Sequence, residues 1–140
     1  PCYGQAFLPL HPTTYARLLG ELLTKHNVNV WLINTGWSGG PYGVGSRMKL
    51  PYTRAMITAA LEGKLDNATY TQDPLFGFSI PTEVPGVPTE VLVPRNTWVD
   101  KAAYDAKANE LATKFNANFN KYSEFADAEM TAAAPKVLQG

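Results

Sequence analysis

The sequence has little of what most catalytic or metal chemistry requires. It holds one cysteine, Cys2, and two histidines, His11 and His26. A lone thiol closes no intrachain disulfide, which fits a reducing, cytoplasmic home. Neither histidine has a cysteine, a second histidine or a carboxylate at ligand spacing, so no complete metal site is expected. Cys2 has no histidine–acid set near it in the sequence, so a catalytic thiol is not expected either. Asp66, Asp73, Glu83 and Glu90 are scattered through loops, with no spacing for paired acid–base work. Twelve basic residues balance twelve acidic ones, and no basic run marks a nucleic-acid partner. No apolar run approaches the ~18 residues a membrane helix needs, and no signal peptide is evident. Internal repeats and low-complexity tracts are also lacking.

What is present suits a globular fold. Hydrophobic residues at 45% against charged residues at 17% suffice for a core. A length of 140 residues makes one domain the default, and we take residues 1–140 as a single partial domain with a tail over 126–140. The start, Pro1-Cys2-Tyr3, lacks a methionine, as expected of a piece of a longer protein.

A first helix is expected from Thr13 or Thr14, either of which can cap it by accepting an orphan backbone N–H. Tyr15, Leu18, Leu19, Leu22 and Leu23 recur at helical spacing as one apolar stripe, which should offset the ~1 kcal/mol cost of Gly20. Lys25 and His26 suit the last turn, and Asn27 suits a left-handed stop. Residues 28–34, VNVWLIN, read as a strand covered on both faces. A second helix is expected over 51–61, with Pro51 in its first turn, Met56, Ile57, Ala60 and Leu61 on one face, and Gly63 as its stop. Prolines at 74, 81, 85, 88 and 94 make residues 64–98 mostly extended, with short strands near 68–71 and 75–80. Asp100 should cap the longest helix, over 101–122, where Tyr104, Ala108, Leu111, Phe115, Phe119 and Tyr122 keep a three-or-four spacing. Such a helix runs roughly 33 Å. A short tail helix near 127–133 ends before Pro135. Helix followed by strand points to an α/β or α+β layer fold.

Five of the ten residues from 36 to 45 are glycine. Glycine permits positive φ and lets backbone approach a ligand closely. A strand leading into such a loop and then a helix is how α/β folds build ligand sites. The phosphate fingerprints fail, however. Ser46-Arg47 stands where a phosphate-binding loop has Lys-Ser/Thr, and Met48 breaks the dinucleotide pattern. The residues alone leave two readings open, a ligand contact or a long ordered turn. Arg47 could lie over a base or pair with phosphate, or be a surface arginine. Thr53 reads as a cap of the second helix. Arg54 and Arg95 are ion-pair candidates, and His26 is a helix-end histidine.

Longer motifs go further. Asn34-Thr35-Gly36-Trp37, the glycines, Arg47-Met48-Lys49-Leu50 and Thr53-Arg54 resemble ATP-dependent phosphoenolpyruvate carboxykinases. So do Cys2-Tyr3-Gly4-x-Ala6-Phe7, Leu10-His11-Pro12-Thr13-x-Tyr15-Ala16, Ile80-Pro81-Thr82-x-x-Pro85-Gly86-Val87 and Pro94-Arg95-Asn96-Thr97-Trp98. The resemblance implies a C-terminal part of a mononucleotide-binding domain, with a mixed sheet and about four helices. It implies conversion of oxaloacetate and ATP to phosphoenolpyruvate, CO2 and ADP in gluconeogenesis, assisted by Mg2+ and Mn2+. The family's P-loop, metal ligands and oxaloacetate-binding arginines lie outside this segment, so catalytic residues here are none and the segment alone should be inactive. What carries over is the adenine end of the site. Arg47 and Met48 match a pair that packs around base and ribose, Thr53 matches a nucleotide-contacting threonine, and Phe7 matches an aromatic lining the active site. Many relatives have Ile at Met48, which keeps an apolar wall. The partners implied are ATP, oxaloacetate and the remainder of the same polypeptide. The alternative is a freestanding, non-enzymatic nucleotide-binding or structural module.

Overall fold

The computed structural model describes residues 4–138, apart from the Gln5 side chain; Cys2 and Tyr3 lie outside the described residues. In chain order the elements are α1 (Pro12–His26), β1 (Trp37–Ser38), β2 (Ser46–Arg47), α2 (Leu50–Leu61), β3 (Tyr70–Gln72) and β4 (Ser79–Pro81). The short α3 (Pro94–Thr97), the long α4 (Lys101–Phe119) and α5 (Ala128–Ala132) follow. Both sheets are two-stranded and antiparallel, β1 with β2 and β3 with β4. A larger mixed sheet is not formed among the described residues.

The chain divides into two units. One holds the described parts of Pro1–Val30 with Asn116–Ala134, the other those of Trp31–Phe115 with Pro135–Gly140. In the first unit α1 begins at His11, not at a threonine. Pro12 takes the first helical position, which leaves His11 as the cap; its Nδ1 accepts from the Thr13 amide at 3.4 Å and lies 2.7 Å from Thr13 Oγ1. The His11 ring packs against Phe125 and Tyr122, at centroid distances of 4.5 and 5.6 Å. Asn27, at φ 47°, stops the helix in the left-handed conformation, as expected. The apolar stripe is another matter. Leu18, Leu19 and Leu22 all stay exposed, and Thr13 is the residue of α1 that is buried.

The second unit holds the core. Ala59, Leu65, Val84 and Val87 are buried together, with Trp31, Tyr52, Met56 and Val91 packed around them. Helix α2 supplies Ala59. Its stop at Gly63 (φ 67°) is built from two reversed hydrogen bonds, Gly63 N to Ala60 O and Lys64 N to Ala59 O. That pattern demands a left-handed residue at position 63. A second cluster joins Leu75, Ala108 and Ala112, flanked by Phe76 and Tyr104. Helix α4 therefore faces inward along Tyr104, Ala108 and Ala112, whereas Leu111 and Phe115 remain about half exposed. Asp100 caps α4, its carboxylate accepting from the Ala103 amide at 3.0 Å. The helix gives way to a 3-10 turn at Asn120–Phe125, short of residue 122. Asp127 likewise caps α5, accepting from Met130 N at 2.9 Å.

Residues 28–34 are not a strand here. No described strand offers them a ladder, and Val30 and Leu32 point outward at 61% and 75% exposure. Trp31, by contrast, packs on the core and stacks on Tyr70 at 6.3 Å. The apolar run signals burial, but a strand also needs a neighbour to bond, which the sequence of one segment cannot supply.

Candidate functional site

The glycine loop folds as a tight antiparallel hairpin. Trp37 pairs with Arg47 and Ser38 with Ser46. The turn closes when the amides of Val44 and Gly45 both donate to the Pro41 carbonyl, at 3.0 and 2.9 Å. At Gly45 a Cβ would fall 2.5 Å from Gly40 O and 2.6 Å from Ser38 O, so no other residue fits. Gly40, at φ 151°, would press a Cβ to 2.9 Å of the Val44 side chain. These glycines are spent on the turn and on close chain approach, not on a phosphate cradle.

Asn34 fastens the base of the hairpin. Its Oδ1 accepts from Gly36 N at 2.8 Å, and its Nδ2 donates to Trp37 O at 3.3 Å. The first of these is an Asx turn, which the Asn-x-Gly spacing signals in the sequence. Met48 N donates to Gly36 O at 2.8 Å and completes the closure. A longer-range contact fixes the far side: Ser38 Oγ donates to Thr97 Oγ1 at 3.3 Å. Nothing in the local sequence betrays that contact between residues far apart in the chain.

The expected site residues fare differently. Arg47 is exposed on β2, and among the described residues no ion pair engages its guanidinium. Trp37 opposite it is 46% exposed and meets Tyr42 edge-on at 5.5 Å. Met48 and Thr53 are each only 8% exposed. Thr53 is not the cap of α2. Lys49 holds that position, without a side-chain bond, and Thr53 sits within the first turns. The helix starts one residue before Pro51, because Leu50 takes the first helical position. Arg47, Met48 and Thr53 all belong to the larger unit, at the exit of the hairpin and the start of α2. Phe7 belongs to the other unit and is 81% exposed.

Arg95 does form the ion pair for which it was a candidate. It grips Asp105 with Nε and Nη2 at 2.7 and 2.8 Å. Asp73 is used locally, its Oδ1 accepting from the amides of Leu75 and Phe76. A cavity of about 270 Å³ lies between Asp73, Leu75, Ile80, Arg95, Tyr104 and Leu138, and none of the expected site residues lines it. Burial, then the nearby Asp73 and Asp105 charges, push the Tyr104 hydroxyl above its ordinary pKa. Among the described residues no three His, Cys, Asp or Glu side chains gather as a metal site. No helix among them is long and apolar enough to cross a membrane.

A family model described as phosphoenolpyruvate carboxykinase matches residues 1–90, more than half of the chain. The chain belongs to the phosphoenolpyruvate carboxykinase family. It is similar to curated proteins named phosphoenolpyruvate carboxykinase (ATP). That of Flavobacterium johnsoniae is 60% identical over 134 residues, covering 96% of this chain and 25% of the relative. That of Geobacillus kaustophilus is 62% identical over 122 residues, or 87% and 23%. That of Thermus thermophilus is 55% identical over 135 residues, or 96% and 26%. The chain thus spans about a quarter of the length of these carboxykinases. The hairpin, α2 and the β3–β4 pair all fall within the matched residues, whereas α3, α4 and α5 follow them.

Proposed function

We propose that this chain forms the adenine and ribose side of the nucleotide site in an ATP-dependent phosphoenolpyruvate carboxykinase. The whole protein would convert oxaloacetate and ATP to phosphoenolpyruvate, CO2 and ADP, a gluconeogenic step, in the cytoplasm. Residues 1–140 are then one piece of its mononucleotide-binding domain, and the remainder of the polypeptide is the partner of the apolar faces left bare here. Mg2+ and Mn2+ would be held outside this segment. Phosphoryl transfer rests on groups that position and neutralise the phosphates, and this segment's share of the work is to hold the other end of the nucleotide.

The observation that carries this reading is Arg47. It stands exposed on a hairpin whose turn admits only glycine at position 45, with no acidic partner among the described residues, in a chain of the carboxykinase family. A guanidinium plane can cover a flat aromatic base. Met48 and Thr53, each only 8% exposed, are assigned to the same base and ribose end of the site. Replacing Arg47 by alanine in the full-length enzyme should raise the KM for ATP about tenfold, the scale of a lost cation–π contact. The KM for oxaloacetate should stay within about twofold, since that substrate meets other groups. An unchanged KM for ATP overturns the reading. The 140-residue chain by itself, given oxaloacetate, ATP and both metals, should form no phosphoenolpyruvate.

A further inference from the structure

The β1–β2 hairpin is only two pairs long. A two-stranded hairpin is marginally stable in water even when longer, and glycine-rich turns resist ordering. Something must hold Arg47 at a fixed height and angle if it is to lie over a base.

Support comes from the Pro94–Thr97 turn. Thr97 Oγ1 donates its hydrogen to the Pro94 carbonyl at 2.6 Å. Its lone pairs are thereby left for the hairpin, and Ser38 Oγ donates into them at 3.3 Å. Gly39, at φ 82°, comes so close that a Cβ there would sit 3.1 Å from Thr97 O. Two neighbouring residues of β1 and its turn therefore rest on one threonine. Ser38 is directly paired with Ser46, the residue before Arg47.

The turn is itself fixed from behind. Arg95 grips Asp105 of α4 with both arms of its guanidinium. Lys101 Nζ donates to the carbonyls of Asn96 and Trp98, at 2.9 and 2.6 Å. The Trp98 ring meets Tyr104 edge-on at 5.7 Å. Helix α4 in turn plants Ala108 and Ala112 in the core. Rigid support thus runs from α4 through α3 and Thr97 to Ser38, and across the ladder to Arg47.

We infer that Thr97 is a positioning residue for the nucleotide: it acts through Ser38 to set Arg47, and touches no substrate itself. The inference rests on the reading of Arg47 as a nucleotide contact. The test is a double-mutant cycle in the full-length enzyme, with KM for ATP, KM for oxaloacetate, kcat and thermal midpoint measured for each variant. Thr97→Val keeps the shape and removes the acceptor. It should raise the KM for ATP about fivefold, the scale of one hydrogen bond, with kcat and the KM for oxaloacetate within about twofold. Thr97→Ser, which keeps the hydroxyl, should restore the wild-type value. Added to Arg47→Ala, Thr97→Val should have no further effect, because its influence passes through Arg47. If Arg47→Ala raises the KM for ATP and Thr97→Val does not, the positioning role is wrong while the nucleotide reading stands. Full additivity of the two, or a loss of kcat, also overturns it. If Arg47→Ala has no effect, the underlying reading fails and the inference with it. Should Thr97→Val fail to fold, Ser38→Ala breaks the same bond from the donor side and reads the same quantities.

Discussion

Helices α1 and α2 have similar ends and different middles. Each has proline in its first two positions, and each is followed by a residue in the left-handed conformation, Asn27 after α1 and Gly63 after α2. Yet α2 places Ala59 in a core with Leu65, Val84 and Val87, while α1 leaves Leu18, Leu19 and Leu22 open to water. Helix ends are settled by a few neighbouring residues that satisfy orphan backbone groups. A helix face is settled only by what lies against it. The stripe of α1 has the same pattern as a buried stripe and lacks only the surface that would cover it.

The largest expected effect tests that contrast directly in the 140-residue chain. Leu65→Ala removes a side chain only 3% exposed and should cost about 2–5 kcal/mol in urea unfolding. Leu19→Ala removes the same atoms from a site 56% exposed and should change stability by no more than about 0.5 kcal/mol. Similar costs at the two sites would show that the stripe of α1 is buried in solution, and the contrast would collapse.

The stops sharpen the comparison at a smaller scale. Gly63→Ala forces a Cβ into the left-handed region and to 3.0 Å of the Asp66 carboxylate, which should cost about 1–2 kcal/mol. Asn27→Gly puts the most permissive residue at the equivalent point of α1, and should leave stability within about 0.5 kcal/mol or raise it. Thermal unfolding of the two variants checks both signs. A loss at Asn27→Gly as large as at Gly63→Ala would mean that the Asn27 side chain does more than tolerate its φ.

These contrasts also explain how much could be read from the sequence. The stop at Gly63 and the cap at Asp100 were legible, because each is a relation between residues a few positions apart. The cap of α1 was misplaced to a threonine because Pro12 shifts the start and leaves histidine, an uncommon cap, at the boundary. The strand expected over 28–34 failed because pairing depends on a second segment. Of the stripe expected on α4, Tyr104 and Ala108 do face inward, but Leu111 and Phe115 stay about half exposed and the unforeseen Ala112 joins the core, since small residues let Leu75 approach closely and size alone does not mark burial. In the candidate site, the motifs that single out Arg47 and Met48 as proposed nucleotide contacts are legible. The link from Ser38 to Thr97 was not, because no local pattern encodes a contact between a hairpin and a distant turn.

Helix α4 gives the mildest test, at the exposed ion pairs of Glu110 with Lys107 and Lys114. Glu110 accepts from Lys107 at 2.8 Å and from Lys114 one turn on. Those two hydrogen bonds, Lys107 first, hold its carboxyl down from 4.5 to about 2. A carboxyl with a lowered pKa in the fold stabilises it above the unfolded value and loses that contribution as pH falls. The contribution of Glu110 is therefore complete above about pH 4.5 and fades toward pH 2. The group is exposed, so the effect is small and shrinks with salt. Asp105 is lowered in the same direction by its hydrogen bond to Arg95, an effect that wild type and Glu110→Gln share. The difference between their thermal midpoints, followed from pH 6 to pH 2.5, isolates Glu110. It should narrow steadily as the pH falls and narrow further in high salt. A difference that stays constant across the range would mean that Glu110 supports α4 by packing its methylenes, and that charge on this face does no work for the helix.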